Sequence, residues 1–409
     1  MNYVIIGNSA AAIGAVEGIR SIDRDGRITV ISDEKYRTYS RPLISYWLMG
    51  RVADDKIYYR GKDFYEKNGV ETLLGRRAVR IDPAKKLVTL DDGARIPYDR
   101  LLNATGSKPF VPPMKGLEKV KYSTFMSLDS AKEIKAQLRE GMKVLIIGAG
   151  LIGLKAAEAL DGCGVGITVV DMADRILPSI LDERAAAKMQ AHIESRGVSF
   201  KLGTSAQELS EHSALLTNGE TVDFDLLIVA VGVRPNTGLI AEAGGKVERG
   251  IICDDTQRTS LDDVYAAGDC TVSHDVSSGA DKILALLPNA YMQGEVAGKN
   301  MAGGEARYEK AIPMNAIGFF GLHIISAGSY DGEEYVEETE NTYKKLVFRN
   351  GVLCGYILMG DVARAGIYTS LIKEKISTAD VDIGLLKDKP QLLMFGKAAR
   401  EEKLGGRVR

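Results

Sequence analysis

The chain has 409 residues, 45% hydrophobic and 26% charged, with a formal net charge of -2. That length exceeds one compact core and implies two or three domains. The near-neutral balance gives no electrostatic case for nucleic acid or an anionic membrane, and 44 glycines against 11 prolines suit a fold of tight turns rather than a disordered chain.

The N-terminus reads as a strand at once, Met1-Asn2-Tyr3-Val4-Ile5-Ile6-Gly7. It shows no basic n-region or cleavage site, and no segment has the apolar length of a membrane span, so a cytoplasmic location is expected. The strand runs into Gly7-Asn8-Ser9-Ala10-Ala11-Ala12, a glycine turn leading to an alanine-rich helical stretch. This is a relaxed dinucleotide fingerprint, with Ser9 at the second glycine position and Ala12 at the third. Both side chains are small enough to keep backbone approach and helix packing possible. A second apolar run, 28–31, follows and ends at Asp33 and Glu34. Strand-like runs recur at 87–90, 226–231 and 345–348, and helical stretches at 129–139 and 183–195, separated by glycine, proline and asparagine clusters. Lys108-Pro109-Phe110-Val111-Pro112-Pro113 reads as an extended link between domains.

The pattern then repeats. Val144-Leu145-Ile146-Ile147 leads into Gly148-x-Gly150-x-x-Gly153, the complete fingerprint, and 167–170 forms the next strand, ending at Asp171. From first glycine to acid, both copies fall within the about 20–30 residues of a βαβ dinucleotide unit. Gly148 permits the tight turn, Gly150 lets the backbone approach a pyrophosphate, and Gly153 allows close helix–strand packing. Leu151 and Ile152 open the helix and offer free N–H groups to the phosphates. Asp171 can accept both ribose hydroxyls and would repel a 2′-phosphate, which favours NADH, while the nearby Arg175 keeps NADPH open. The competing reading is an ordinary βα turn with incidental glycines. The four cysteines, Cys163, Cys253, Cys270 and Cys354, form no Cys-x-x-Cys pair and no zinc or iron–sulfur spacing, so reduced, packed thiols and no metal are expected. The glycine-rich, basic stretch 403–409 reads as a loose tail.

Two dinucleotide units in one chain resemble the FAD/NAD(P)H reductases of the pyridine nucleotide–disulfide oxidoreductase superfamily, in particular the branch of NADH:rubredoxin reductases and the flavin portion of nitrite reductases. The resemblance runs to about residue 375. It is carried by Tyr39-Ser40-Arg41-Pro42-Leu43-Ile44-Ser45, by Asn103-Ala104-Thr105-Gly106-Ser107, by Ala230-Val231-Gly232-Val233-Arg234-Pro235-Asn236 and by Val264-Tyr265-Ala266-Ala267-Gly268-Asp269, in family order. Ile312-Pro313-Met314-Asn315 and Gly355-Tyr356-Ile357-Leu358-Met359-Gly360-Asp361 resemble that branch's third domain.

The fold so implied is α/β: two Rossmann-like three-layer dinucleotide-binding domains plus a C-terminal α+β domain. Residues 1–113 and 247–310 would bind FAD, 114–246 NAD(H), and 311–409 would form an interface domain, suited to a homodimer or a partner. Arg41, with Pro42, would contact FAD phosphate and Asp33 or Glu34 the adenosine ribose. Ala104, Thr105 and Gly106 would approach the flavin nucleotide by backbone, Gly232 would close the NAD domain, and Gly268-Asp269 would fix the ribitol. Taken singly, Arg41 reads equally as a surface arginine and Asp269 as a turn residue.

Two departures narrow the function. The stretch after Arg41 carries no cysteine, so disulfide reduction, peroxidase and four-electron oxidase chemistry lose their thiolate. Relatives pair a lysine after the arginine–proline segment with a glutamate on the second fingerprint helix, near flavin N5. Here the matching residues are Tyr46 and Lys155. Either Lys155 supplies the positive charge that favours the anionic reduced flavin, or it is a solvated lysine with Glu158 as surface partner. The resemblance implies hydride transfer from NADH to FAD and single-electron transfer to a separate carrier, rubredoxin or another small iron–sulfur protein, or the reverse flow. An NADH oxidase, a flavin subunit of a larger redox complex and a non-enzymatic nicotinamide-responsive protein remain open.

Overall fold

The structure, a computed structural model, describes residues 1–404. Of the tail expected from Lys403 onward, residues 405–409 lie outside the described residues, and the two residues before them close a helix. The chain divides into two compact units: Met1–Ser179 with Ala186–Ser273 and Ile283–Glu309, and the remainder, Ile180–Ala185 with His274–Lys282 and the chain from Lys310.

In chain order the first unit begins with β1 (Asn2–Ile6), α1 (Ala10–Arg20), β2 (Arg27–Ser32), α2 (Leu43–Leu48), α3 (Phe64–Lys67) and β3 (Val70–Leu74). A three-stranded antiparallel sheet follows, β4 (Ala78–Asp82), β5 (Leu87–Leu90) and β6 (Arg95–Pro97), and then β7 (Arg100–Asn103) and β8 (Ser107–Pro109). The second copy runs β9 (Tyr122–Ser123), α4 (Leu128–Gln137), β10 (Lys143–Ile147), α5 (Leu151–Ala159), β11 (Gly166–Asp171), α6 (Glu183–Glu194) and β12 (Val198–Leu202). Its own antiparallel trio is β13 (Ala206–Ser210), β14 (Ser213–Leu216) and β15 (Thr221–Asp223), before β16 (Leu226–Val229), β17 (Val233–Pro235) and α7 (Gly238–Glu242). The chain returns through β18 (Val264–Ala266) and α8 (Leu287–Met301); between them the hairpin strands β19 (Ser273–Asp275) and β20 (Ala280–Lys282) belong, from His274 on, to the second unit.

Two parallel five-stranded sheets result, ordered β18-β7-β1-β2-β3 and β12-β11-β10-β16-β9. In both, the strand before the fingerprint is central. Such a strand is covered on both faces, which is why Val4-Ile5-Ile6 and Val144-Leu145-Ile146-Ile147 are continuous apolar runs and why all seven residues are buried. The two copies share detail below the level of topology. Gly7 and Gly148 both sit at φ +115°, where a Cβ would strike the carbonyl oxygen of Ala104 or Ala230. Their N–H groups donate to Ile31 and Val170 respectively, at 2.8 Å in each copy. Asp99 and Asp225, one residue before β7 and β16, accept from the first residues of β1 and β10 at 2.7 and 2.8 Å. The extended link at 108–113 is part of a short ribbon: β8 pairs antiparallel with β17, and Arg234 lies 4.3 Å from the Phe110 ring centroid.

The fingerprint helix α1 is buried along almost its whole length. Its partner is α8. A Cβ on Gly14, Gly18, Gly294 or Gly298 would fall 2.0–2.4 Å from a carbonyl oxygen of the facing helix, so the two backbones are in direct contact.

The second unit holds the antiparallel sheet β21 (Met314–Phe319), β22 (Leu322–Gly328), β23 (Glu333–Glu338), β24 (Tyr343–Arg349) and β25 (Val352–Met359), in the order β21-β22-β25-β24-β23. Helices α9 (Ala365–Glu374), α10 (Ile383–Asp388) and α11 (Lys397–Leu404) follow, and a core around Leu346, Tyr356, Tyr368 and Leu371 joins sheet to helix. Lys345, buried in this unit, is held by Asp182 at 3.0 Å and Glu334 at 2.5 Å. Among the described residues, no helix is long and apolar enough to cross a membrane.

Candidate functional site

A cleft of about 720 Å³ opens over the C-terminal ends of β1, β2, β7 and β18. Parallel sheets place their ligand crevices at that edge. Gly7, Ser9, Ala10 and Ala11 form one wall, Ala104, Thr105 and Gly106 a second, and Gly268 and Asp269 a third, while Asp33 and Arg41 also face in. The sequence segments quoted from four parts of the chain are therefore brought to one place. Ala12 is turned into the core, and Pro42 stands at the N-cap of α2. Gly232, at φ +114°, turns the chain into the ribbon and accepts from the Phe110 N–H.

The chemistry of the cleft suits a pyrophosphate with a polyol arm. Ser9 caps α1 with extended backbone and makes no side-chain cap, so the first N–H groups of the helix stay available to an anion. Arg41 adds a cation. Its guanidinium donates to Glu34 at 3.0 Å, to Tyr39 Oη at 3.1 Å and to the Met126 carbonyl at 3.0 Å. Burial works against the charge, but Tyr39, Glu34 and, across the cleft, Asp269 hold its pKa above the ordinary arginine value. Sequence left Asp33 and Glu34 as equivalent; the geometry separates them, since Asp33 lines the cleft and Glu34 is engaged by Arg41. Asp269 is largely buried and makes one long hydrogen bond, from Ser107 Oγ at 3.5 Å. Burial raises its pKa, and Arg41 and Ser107 offset this only in part. A carboxylate left so under-used is an acceptor waiting for hydroxyl donors. Arg76 and Arg77, past the end of β3, also line the cleft and were not singled out from sequence. Their signal is the place, the end of the third parallel strand, rather than any motif.

At the second fingerprint a Cβ on Gly150 would meet nothing within 4 Å, whereas one on Gly153 would lie 1.9 Å from the Gly148 carbonyl oxygen. Gly150 is open to an approaching ligand, and Gly153 is closed against the turn. Gly150 caps α5 without a side chain, which leaves the N–H groups of Leu151 and Ile152 at an uncapped helix end. Asp171 ends β11, and its carboxylate accepts from Ala149 N at 2.6 Å and Ala173 N at 2.8 Å. Each oxygen retains lone-pair capacity for a further donor. Arg175 donates to the adjacent, exposed Asp174 at 3.0 Å, while its buried Nε finds no partner among the described residues.

Lys155 is not the solvated lysine that sequence left open. Its side chain is 20% exposed, that of Glu158 is 5% exposed, and the two meet at 2.6 Å. The ammonium also lies 5.2 Å from the centroid of the Tyr46 ring. The thiol beside the cleft, Cys270, is fully buried, and burial pushes it up to about 11. Such a thiol is a packing group rather than a nucleophile. All four cysteines are free.

A family model described as pyridine nucleotide-disulphide oxidoreductase matches residues 1–294. The chain belongs to that family. It is an oxidoreductase using FAD and NAD(H). A model for the rubredoxin NAD+ reductase C-terminal domain matches residues 313–376, within the second unit. The chain is 32% identical over 383 residues to the NADH-dependent phenylglyoxylate dehydrogenase subunit epsilon of Aromatoleum evansii, covering 90% of this chain and 91% of that one. It is 30% identical to a Bacillus subtilis nitrite reductase over 92% of this chain and 48% of the relative, so it spans about half of that longer protein. The NADH:rubredoxin oxidoreductase of Clostridium acetobutylicum superposes with a TM-score of 0.76 at 28% identity, over 92% of this chain and 96% of that one.

Proposed function

We propose that the protein passes electrons from NADH through FAD to a separate one-electron carrier in the cytoplasm, rubredoxin or another small iron–sulfur protein, and that the same site supports the reverse flow. The observation that carries this reading is the duplicated uncapped helix N-terminus, α1 over a cleft with Arg41 and Asp269, and α5 beside Asp171. Residues 1–113 and 247–310 form the FAD-binding part, 114–246 the NAD(H)-binding part, and 311–409 an interface domain for a partner or a second copy. FAD, when bound, accepts a hydride from NADH and releases electrons singly.

The chain's own contribution is binding and alignment. The α1 N–H groups and Arg41 hold the pyrophosphate, Asp33 meets the adenosine ribose, and Asp269 accepts from the ribityl hydroxyls. Asp171 meets the NADH ribose, and Lys155 supplies positive charge towards the flavin. No acid or base is required of any side chain for hydride transfer itself. The stretch after Arg41 has no cysteine, and Cys270 beside the cleft is buried with its pKa pushed up, so the disulfide route lacks a thiolate there.

A second reading, a flavin subunit of a larger redox complex, is favoured by the match to the phenylglyoxylate dehydrogenase subunit over about nine-tenths of both chains. Anaerobic stopped-flow absorbance separates the two. Bleaching of the flavin by NADH and rapid reoxidation by rubredoxin or ferredoxin is the expected result. Bleaching without carrier reoxidation favours the subunit reading or an oxidase, and no bleaching by NADH or NADPH overturns both readings.

Asp171→Ala tests the nicotinamide assignment. The substitution removes two backbone hydrogen bonds to a carboxylate, each worth about 1.5–3 kcal/mol, and leaves the Ala149 N–H without its acceptor. The expected outcome is a lower Tm and at least a tenfold rise in KM for NADH, with KM for NADPH unchanged or improved. Equal losses for both nucleotides would remove the ribose role from Asp171.

A further inference from the structure

Residues 1–113 and 247–310 carry the first parallel sheet, and 114–246 carry the second. The chain leaves the first part along β8 and returns along β17, so both crossings run through one two-stranded ribbon. Such a ribbon holds two bodies together but acts as a hinge, because two strands leave the angle about them free. Helix α2 also packs against α4 and α5, and packed helices permit small sliding. Hydride transfer is less tolerant. The reacting atoms must come within about 3–3.5 Å, and a displacement of about 1 Å can cost about 100-fold in rate. Aligning the two parts therefore calls for directional contacts.

Those contacts are made where residues 36–41 of the first part meet the start of α4 in the second. Tyr36 Oη donates to Asp129 at 2.5 Å and accepts from Lys132 Nζ at 3.1 Å. The buried Tyr39 Oη accepts from Leu128 N, the first N–H of α4, at 3.0 Å, and from Arg41 at 3.1 Å. Both of its lone pairs are used, one on each part of the chain. Arg41 in turn donates to the Met126 carbonyl at 3.0 Å, and both Arg41 and Met126 line the cleft. On its other side the segment is fixed to the first fingerprint turn. Asn8, which also lines the cleft, donates to the Tyr36 carbonyl at 3.3 Å and accepts from Thr38 Oγ1 at 2.6 Å. A hydrogen-bonded path thus runs from the turn that opens the cleft to the N-terminus of α4, and hydrogen bonds, unlike apolar packing, fix distance and angle.

We propose that Tyr36 and Tyr39 are positioning residues: they clasp α4 to the first fingerprint turn and so set how the nicotinamide meets the flavin. This rests on the reading of the two parts as FAD and NAD(H) sites and adds the residues that align them. Neither tyrosine lines the cleft. Their loss therefore leaves nucleotide binding in place and is felt in the transfer step, as a lower limiting rate at unchanged affinity.

The test is anaerobic stopped-flow reduction of the FAD-loaded protein over a range of NADH concentrations, which gives a limiting rate and an apparent dissociation constant. The charge-transfer absorbance of stacked nicotinamide and flavin, FAD content and Tm are recorded for each variant. Tyr36 is only partly buried, so Tyr36→Phe spares the fold; it is expected to lower the limiting rate by about 3- to 10-fold. The double variant Tyr36→Phe/Tyr39→Phe is expected to lower it by about 10- to 100-fold. Both should show weaker charge-transfer absorbance, with the NADH dissociation constant within about twofold of the wild type. Asp129→Asn keeps an acceptor for Tyr36 and is expected to stay within about twofold in rate. Tyr368→Phe removes a buried tyrosine hydrogen bond elsewhere, to the Leu386 carbonyl at 2.9 Å, and is expected to lower Tm with the limiting rate unchanged. Clasp variants that keep the wild-type limiting rate and charge-transfer absorbance would overturn the proposal, as would a loss of rate that Tyr368→Phe shares at equal loss of Tm. A wild type that binds no FAD, or is not bleached by NADH, would instead sink the functional reading beneath it.

Discussion

Gly294→Ala is expected to destabilise the protein by about 3 kcal/mol or more and to weaken FAD retention, although alanine is the better helix former by about 1 kcal/mol. The sign reverses because of what faces the glycine. The added methyl would sit 2.0 Å from the Ala11 carbonyl oxygen, and that atom belongs to the backbone of α1 rather than to a side chain that can rotate away. The helices must separate. Three neighbours on the same seam, Gly14, Gly18 and Gly298, show that there is no slack to absorb the shift. Against a total stability of about 5–15 kcal/mol, such a loss is large. Displacing α1 also moves its uncapped N-terminus, and Ala11 is packed beside Gly268, whose Cβ would lie 3.3 Å from the Ala11 Cβ. Cleft and seam are thus one mechanical element. Gly366→Ala is the control: it is an exposed helical glycine whose Cβ would meet nothing within 4 Å, and a gain of about 0.5–1 kcal/mol is expected. Thermal unfolding and the A280-to-flavin absorbance ratio read both variants. Equal Tm values for Gly294→Ala and the wild type would show that the seam tolerates separation.

The parts of the fold that were legible in sequence are those where geometry permits few residues. A βα turn at φ +115° demands glycine, so Gly7 and Gly148 announce the two units, and a strand buried on both faces demands an unbroken apolar run. β5 coincides with the run at 87–90, although only Val88 and Leu90 of it are buried. What sequence could not supply was pairing between distant segments. Nothing local says that α1 will lie on α8 or that the extended link will zip to β17. The matching Tyr98-Asp99 and Phe224-Asp225, which pin the central strand of each sheet, were visible as a repeat only once their partners were known. Asp33 and Glu34 are chemically alike, and only the side-chain direction of Arg41 separates them. Lys155 was ambiguous because a lone lysine fits either a wet or a dry helix face. The pattern around it held the answer: Leu154, Ala156, Ala157 and Ala159 are all buried, so α5 has little wet face to offer.

Asp269→Asn is expected to stabilise the FAD-free protein while weakening its hold on FAD, a pair of opposite effects that a packing residue would not produce. In the folded chain the carboxylate is largely buried with a single long hydrogen bond, and its pKa is raised from the ordinary 3.8. For a raised pKa, the favourable contribution to folding is complete below the unfolded value, where the group is protonated in both states. It is lost as pH rises through the folded value. At neutral pH the ionised Asp269 therefore opposes folding, and asparagine, equal in shape and uncharged, removes that opposition. Apoprotein Tm should be higher for the variant at pH 7, and the two proteins should converge as pH falls through the window between the folded and unfolded values. Binding runs the other way. Hydrogen bonds to a charged acceptor are worth about 1.5–3 kcal/mol, so replacing the carboxylate by an amide should weaken FAD affinity by about 10- to 100-fold. Arg41 faces the same cleft, and its attraction to Asp269 offsets only part of the burial penalty in the apoprotein. Titrating FAD into apoprotein, with flavin fluorescence quenching as the signal, measures affinity, and parallel thermal melts across pH measure stability. An Asp269→Asn protein that binds FAD as tightly as the wild type would remove Asp269 from the binding site. One that is less stable than the wild type at pH 7 would show that the carboxylate is satisfied by the fold itself.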